Sequence, residues 1–250
     1  MRTVVALAMA LAACGDNAKE PDYLGYDWDD RRVLCSAPID DLGVTPQEAV
    51  VPAFIHAQID AAARGGWALV LHAHQPTVGI SLAWLDQVLT WADEDGLTSY
   101  TFDELVPGGS RGPGLAIGFD DCTPDNWMQA RATLMSHDAH VTLFVSQWQD
   151  LTPLGLAELE VLHEDGDAIE AHSVNHLHVV QYVDANGIDA YVANEMMPSL
   201  EAVANAGYPY PAAFAYPFGE HTPALDRAAL EHVGLVRATR GECPWSGWGL

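Results

Sequence analysis

Apolar positions along this chain fall into short runs that alternate with segments of helical period. Residues 67–71, 115–119, 140–145, 168–171, 213–216 and 235–239 are runs of strand length. Between the first two, Leu82, Leu85, Val88 and Leu89 recur at helical spacing, with Ser81 as a cap and Gly96 beyond the end. Residues 126–136, 153–165, 188–205 and 222–234 read as further helices, stopped at or near Gly166, Gly207 and Gly234. Upstream, Thr45-Pro46-Gln47-Glu48 has the form of a capping box with Pro at the first helical position. It predicts a helix to about residue 63 that bends at Pro52 and stops at Gly65-Gly66.

Strands alternating with helices of this length predict an α/β fold with parallel strands covered by helices. A (β/α) barrel is expected over an open sheet, because His72, Asp120-Asp121, His172 and Pro217-Phe218 each follow a strand directly. In a parallel barrel such positions meet at one mouth. With 250 residues, 49% of them hydrophobic, and no internal repeat, one domain with one core suffices.

Charge narrows the partners. Ten Lys and Arg against 35 Asp and Glu leave no basic face for nucleic acid or for an anionic lipid surface. The acidity serves solubility and would also attract a cationic polymer, such as a glycan with free amines. The amino terminus reads as a targeting segment: Met1-Arg2, an apolar run over 3–13, then Leu11-Ala12-Ala13-Cys14-Gly15. This resembles the lipobox of bacterial lipoprotein signal peptides. The resemblance implies a signal peptide over 1–13, cleavage before a lipidated Cys14, an acidic tether over 14–32 and the catalytic domain over 33–250. The expected location is the cell envelope outside the cytoplasm, with membrane contact through the lipid alone and the choice of membrane open. Of the remaining Cys35, Cys122 and Cys243, two can pair in an oxidising compartment. Cys35 with Cys243 is favoured because both lie outside the motifs below, although connectivity is not decided by sequence.

The chemistry concentrates in two places. Asp120-Asp121 ends an apolar run, and His172 and His176 are spaced i, i+4, as on one face of a helical turn. One carboxylate and two imidazoles are enough to hold a zinc-like ion with a position left open. Adjacent side chains diverge, which allows Asp121 to face the metal while Asp120 faces a water and takes its proton.

Four ordered motifs then carry a family resemblance: Leu69-Val70-Leu71-His72, Gly118-Phe119-Asp120-Asp121-Cys122 followed by Asp125-Asn126, His172-Ser173-Val174-Asn175-His176, and Phe214-Ala215-Tyr216-Pro217-Phe218-Gly219. Over residues 55–240 the chain resembles polysaccharide deacetylases of the NodB-homology type, carbohydrate esterase family four. The form of residues 214–219 is similar to a subgroup that lacks the third-motif Arg and includes poly-N-acetylglucosamine deacetylases. The resemblance implies a distorted (β/α) barrel, with Asp120 as general base and His72 as the acid that protonates the leaving amine. It implies Asp121, His172 and His176 as ligands of Zn2+ or another divalent metal. Tyr216, Pro217 and Phe218 are expected on the substrate, with a peptide N–H near Phe218 stabilising the oxyanion and the two aromatics stacking on sugar. The implied partner is an acetylated glycan polymer. Alternatives are an O-acetyl esterase on a neutral polysaccharide and a non-catalytic glycan-binding lipoprotein.

Two positions depart from the family pattern. Cys122 stands where the motif has Gly, as a disulfide partner, a soft extra ligand or, as favoured, a buried thiol. Ala215 stands where the main family has the Arg that orients the base, and no replacement is evident. His74 is read as a polar contact or a neighbour sharing the His72 pocket. His56, His137, His140, His163, His178, His221 and His232 are read as lying outside the site. Trp127, Trp245 and Trp248 are more readily core than sugar platforms.

Overall fold

Short parallel strands dominate the computed structural model, which describes residues 25–45, 51–109, 111–239 and Cys243. The predicted signal peptide, Cys14, the first part of the tether, Pro46-Gln47-Glu48, Trp245 and Trp248 lie outside the described residues.

The strands are β1 (Gly25–Tyr26), β2 (Val33–Pro38), β3 (Ala68–Ala73), β4 (Thr98–Ser99), β5 (Gly114–Asp121), β6 (Thr142–Val145), β7 (Ala168–Ala171), β8 (Ala213–Ala215) and β9 (Leu235–Thr239). Seven of them close in the order β2-β3-β5-β6-β7-β8-β9 and back to β2, all parallel. The two short strands lie beside this ring. β1 pairs antiparallel with the start of β3, and β4 pairs with the start of β5. The expected distorted (β/α) barrel is the observed architecture.

Alternation along each strand sorts residues between two cores. Leu34, Ala68, Val70, Ala116, Phe144, Ala213, Ala215 and Leu235 face inward with Tyr26, Tyr100 and Phe102. Leu69, Leu71, Ile117, Phe119, Leu143, Val145, Phe214 and Val236 face outward beneath the helices. The inward set is small because two aromatics fill the lumen: Phe102 and Phe144 meet edge to face at 4.9 Å. Gly118 on β5 makes room for them, since a Cβ there would come within 2.9 Å of the Phe144 ring. Outside, the helix Pro52–Gly65 buries Ile55, Ile59 and Ala62. Each of the two Ile side chains contributes about 1.5–3 kcal/mol when fully buried.

Several boundaries follow from local chemistry. Ser81, Thr152 and Thr222 cap the helices Leu82–Glu94, Pro153–Glu164 and Pro223–Ala229 by accepting the backbone N–H three residues on. Pro52 begins its helix and does not bend it: the ring occupies the first position, where no N–H is needed. The single helix expected over 188–205 is broken. Gly187 at φ 90° separates Val179–Asn186 from Ile188–Tyr191, and a π-helical turn, Val192–Met196, precedes Met197–Asn205. β2 was not anticipated, because Cys35 and Ser36 interrupt its apolar pattern although both are buried. Cys35 is disulfide-bonded to Cys243, with Cα atoms 6.3 Å apart, tying β2 to the chain beyond β9. Among the described residues no helix is long and apolar enough to cross a membrane.

Candidate metal centre and active site

The first wall of the barrel mouth comes from β5 and β7. Inward alternation through Ala116 and Gly118 delivers Asp120 to the lumen, where it is buried. Asp121 then adopts φ 87°, which swings its carboxylate away from that of its neighbour. The left-handed residue is Asp121, so Cys122 at the motif's Gly position carries no positive φ.

His172 leaves the end of β7 and is followed by an irregular loop, not the helical turn expected from the i, i+4 spacing. Ser173 at φ 69° and His176 at φ 52° fold this loop back on itself, and the His176 N–H donates to Ser173 Oγ at 3.1 Å. The Nε2 atoms of His172 and His176 then lie 3.2 Å apart, and His176 Nε2 lies 3.3 Å from Asp121 Oδ1. One ligand atom from each of Asp121, His172 and His176 falls within 4.8 Å of the others. His172 Nδ1 sits 2.8 Å from the Ala215 carbonyl, a contact that puts its proton on Nδ1 and leaves the Nε2 lone pair for a cation. Burial, then the nearby Arg237 charge, holds the His172 imidazole well below its ordinary pKa and therefore neutral. Two converging imidazole nitrogens and a carboxylate suit zinc or a similar divalent ion.

Glu195 clamps this loop. It is buried in the π-helical turn, and its carboxylate accepts the Asn175 N–H at 2.9 Å and Asn175 Nδ2 at 2.7 Å. The Val174 N–H donates to the Glu195 carbonyl at 3.1 Å. The segment between His172 and His176 is thus held at Val174 and Asn175. In sequence Glu195 looks like any acid on a helix, and only the π turn marks it out.

The second wall comes from β9, β2 and β3. Arg237 is completely buried, with Nη2 2.9 Å from Asp120 Oδ2 and Nη1 donating to Ser36 Oγ at 3.3 Å. Its guanidinium lies 5.3 Å above the Phe144 ring centre. Ala215 and Arg237 are register partners across β8 and β9. The arginine missing from the third motif is therefore replaced by one directly across the ladder, legible only as a charge inside an otherwise apolar strand. Asp120 Oδ1 is buried with no hydrogen-bond partner among the described residues.

His72, next along the inward face of β3 after Val70, is buried with Nδ1 2.8 Å from Ser36 Oγ. Burial, followed by the charges of Arg237, His74 and His172, lowers its pKa well below the ordinary value. His74 differs. Its Nδ1 lies 2.6 Å from Asp40 Oδ2, its own N–H donates to Asp40 Oδ1 at 3.1 Å, and its carbonyl accepts the Trp127 indole N–H at 3.1 Å. Burial alone would lower this imidazole's pKa, but the Asp40 hydrogen bond and the charges of Asp120, Asp40 and Asp121 raise it to about 9. The two rings are 5.8 Å apart. Trp127 is buried core and presents no face to a sugar.

The third motif divides. Tyr216 is fully buried against Phe214 and His221, and its N–H is taken by the Arg237 carbonyl at 3.0 Å. This corrects the expectation that it stacks on substrate: its outward position on the barrel faces the helix layer. Pro217 is buried at the start of a tight turn. Phe218, at φ 57°, remains 47% exposed, stacked on His178 at 3.9 Å and edge-on to His176 at 4.7 Å. His178 therefore belongs to the rim, with Nδ1 2.8 Å from Glu220 Oε1. Cys122 is half-buried and unpaired, its thiol pushed up to about 11 by burial and by Asp150 and Asp121.

Known structures share this fold. The IcaB structure from Ammonifex degensii superposes with a TM-score of 0.58 at 18% identity, covering 70% of this chain and 86% of that one. A de-N-acetylase from Aggregatibacter actinomycetemcomitans gives 0.51 at 12% identity, covering 81% and 84%. BC0361, a polysaccharide deacetylase from Bacillus cereus, gives 0.51 at 15% identity, covering 84% and 58%. A search of curated proteins found no match. The polysaccharide deacetylase family model matches residues 108–237, from just before β5 to the buried arginine of β9. With more than half of its length so matched, the chain belongs to the polysaccharide deacetylase family.

Proposed function

We propose that this protein is a divalent-metal-dependent hydrolase that removes N-acetyl groups from an amino-sugar polysaccharide of the bacterial cell envelope, held to a membrane by lipid on Cys14. The observation that carries the reading is the convergence of Asp121, His172 and His176 beside Asp120, whose Oδ1 is buried without a partner among the described residues. A bound divalent ion supplies Lewis acidity there, polarising the acetyl carbonyl and lowering the pKa of water.

The protein's own groups divide the rest. Asp120, pinned by Arg237, takes a proton from the attacking water. The water oxygen bonds to the acetyl carbon, and the Phe218 peptide N–H donates to the developing oxyanion. The exposed Phe218 face supports the sugar ring. A histidine of the His72–His74 pair protonates the nitrogen as the C–N bond breaks, giving acetate and a free amine. The product polymer is cationic, which suits a chain of net charge −25.

Zinc-loaded protein should release acetate from an N-acetylglucosamine oligomer and much less from acetylated xylan. Asp120→Asn should abolish release and keep the metal, whereas His176→Ala should lose both. Preference for the xylan would sink the N-acetyl reading, and equal metal loss in the two variants would sink the division of roles. Cys14→Ser should release the protein from the membrane fraction.

A further inference from the structure

We propose that the proton donor to the leaving nitrogen is His74, oriented by Asp40, and not His72; this rests on the deacetylase reading above. A donor needs access to the leaving atom, a proton on the nitrogen that faces it and a partner that fixes the ring. His74 meets each requirement. Its side chain is 43% exposed, whereas His72 keeps 4% of its surface. β3 and β5 pair His72 with Gly118 and Ala73 with Phe119, so the next step along the ladder sets His74 beside Asp120. Asp40 grips His74 twice, at the ring Nδ1 and at the main-chain N–H. With Nδ1 committed to a carboxylate, the other N–H is on Nε2, which has no partner among the described residues. The Trp127 indole fixes the same residue through its carbonyl.

His72 is built for another task. Its Nδ1 meets Ser36, and the same hydroxyl oxygen accepts from Arg237. A second positive charge there would oppose the guanidinium that holds Asp120, and burial of His72, Ser36 and Arg237 weakens the screening between them. Burial and that guanidinium keep His72 neutral, whereas the carboxylates facing His74, those of Asp40, Asp120 and Asp121, keep its ring charged. His72 is therefore a positioning residue, holding Ser36 and through it Arg237.

In the step itself the C–N bond breaks with its electron pair on nitrogen, and the His74 Nε2 proton moves to that nitrogen. The imidazole left neutral regains a proton from solvent, while Asp120 gives up the one it took from water. An aryl acetate differs, because its phenolate leaves without a proton. That contrast provides the test.

On an N-acetylglucosamine pentamer, His74→Gln and Asp40→Asn should lose about 10²–10³-fold in acetate release. Hydrolysis of p-nitrophenyl acetate by the same zinc-loaded variants should stay within about threefold of wild type. His72→Gln should lower both activities by a similar factor. Selective loss of the amide reaction in His72→Gln, with His74→Gln still active, would overturn the assignment, as would equal loss of both reactions in His74→Gln. A wild type that cleaves the aryl ester and no glycan refutes the substrate reading alone. Imidazole NMR of the zinc-loaded protein then decides the donor. His74 titrating above His72, and falling in Asp40→Asn, supports it; His72 charged at pH 7 beside a neutral His74 overturns it.

Discussion

The two walls of the barrel mouth reach the same precision by opposite means. The β5–β7 wall takes Asp120, Asp121, His172 and His176 from two contiguous motifs and bends loops to aim them. Asp121, Ser173 and His176 all sit at positive φ. Left-handed backbone at non-glycine residues costs about 1–3 kcal/mol each, and it persists only where the surroundings over-determine it. Glu195 and Ser173 provide that constraint through hydrogen bonds to the loop. The β9–β2–β3 wall uses no bent backbone. Arg237, Ser36 and His72 come one from each strand and meet diagonally across three parallel strands, Ser36 lying between Leu34, the register partner of Arg237, and Pro38, the partner of His72. The family match spans the first wall and ends on Arg237, so Ser36, Asp40, His72 and His74 lie outside it. Chemistry on the first wall is concentrated and strained, while support on the second is dispersed and regular.

The largest effect that would break this contrast is expected at Arg237. Arg237→Met removes one partner of a buried ion pair, which costs about 3–5 kcal/mol and threatens the fold. Arg237→Lys keeps the charge but cannot span Asp120 and Ser36 together. It should fold, bind zinc as wild type and lose about 100-fold in kcat, with KM for the glycan little changed. A fully active Arg237→Lys enzyme would show that the second wall does not hold the base.

The same contrast explains what sequence made legible. Asp120-Asp121 and His172…His176 are compact patterns whose residue types state their chemistry, and the barrel followed from the alternation of runs and helices. Arg237 was invisible as a partner of Asp120 because its role depends on ladder register with Ala215, a relation between positions 22 residues apart in the chain but adjacent in space. Ser36 and Asp40 belong to a strand and turn whose polar residues masked the apolar pattern. Tyr216 was misplaced for a related reason: a motif fixes which residues recur, not which face of the strand each one takes. The helical turn expected at His172 and His176 is absent, yet an irregular loop still brings the two rings together, since any fold-back that joins i and i+4 satisfies the same spacing.

A smaller effect is expected behind the first wall. Glu195→Gln keeps the shape and one acceptor but leaves an amide N–H₂ opposite the Asn175 donors. Zinc affinity should fall about 10–100-fold, the usual range for residues that hold a ligand loop from behind. Activity should return at saturating zinc, because the ligands themselves are intact. Unchanged affinity by competition with a chelator would mean that the left-handed turns at Ser173 and His176 are self-supporting.

The smallest effect is a pH dependence on the second wall, measured as stability of the metal-free protein. Folding raises the His74 pKa from 6.5 to about 9 through Asp40 and the nearby carboxylates. A raised folded-state value means that the native protein binds the proton more tightly than the unfolded chain does. The stabilisation is therefore complete below about pH 6.5 and disappears as pH rises through about 9. Because 43% of the side chain is exposed, solvent screening reduces it to about 1 kcal/mol. Urea unfolding of wild type and His74→Gln should thus differ by that amount at pH 6 and converge by pH 10. A gap that stays constant with pH would assign the difference to packing, and the charged pair would then contribute nothing to this wall.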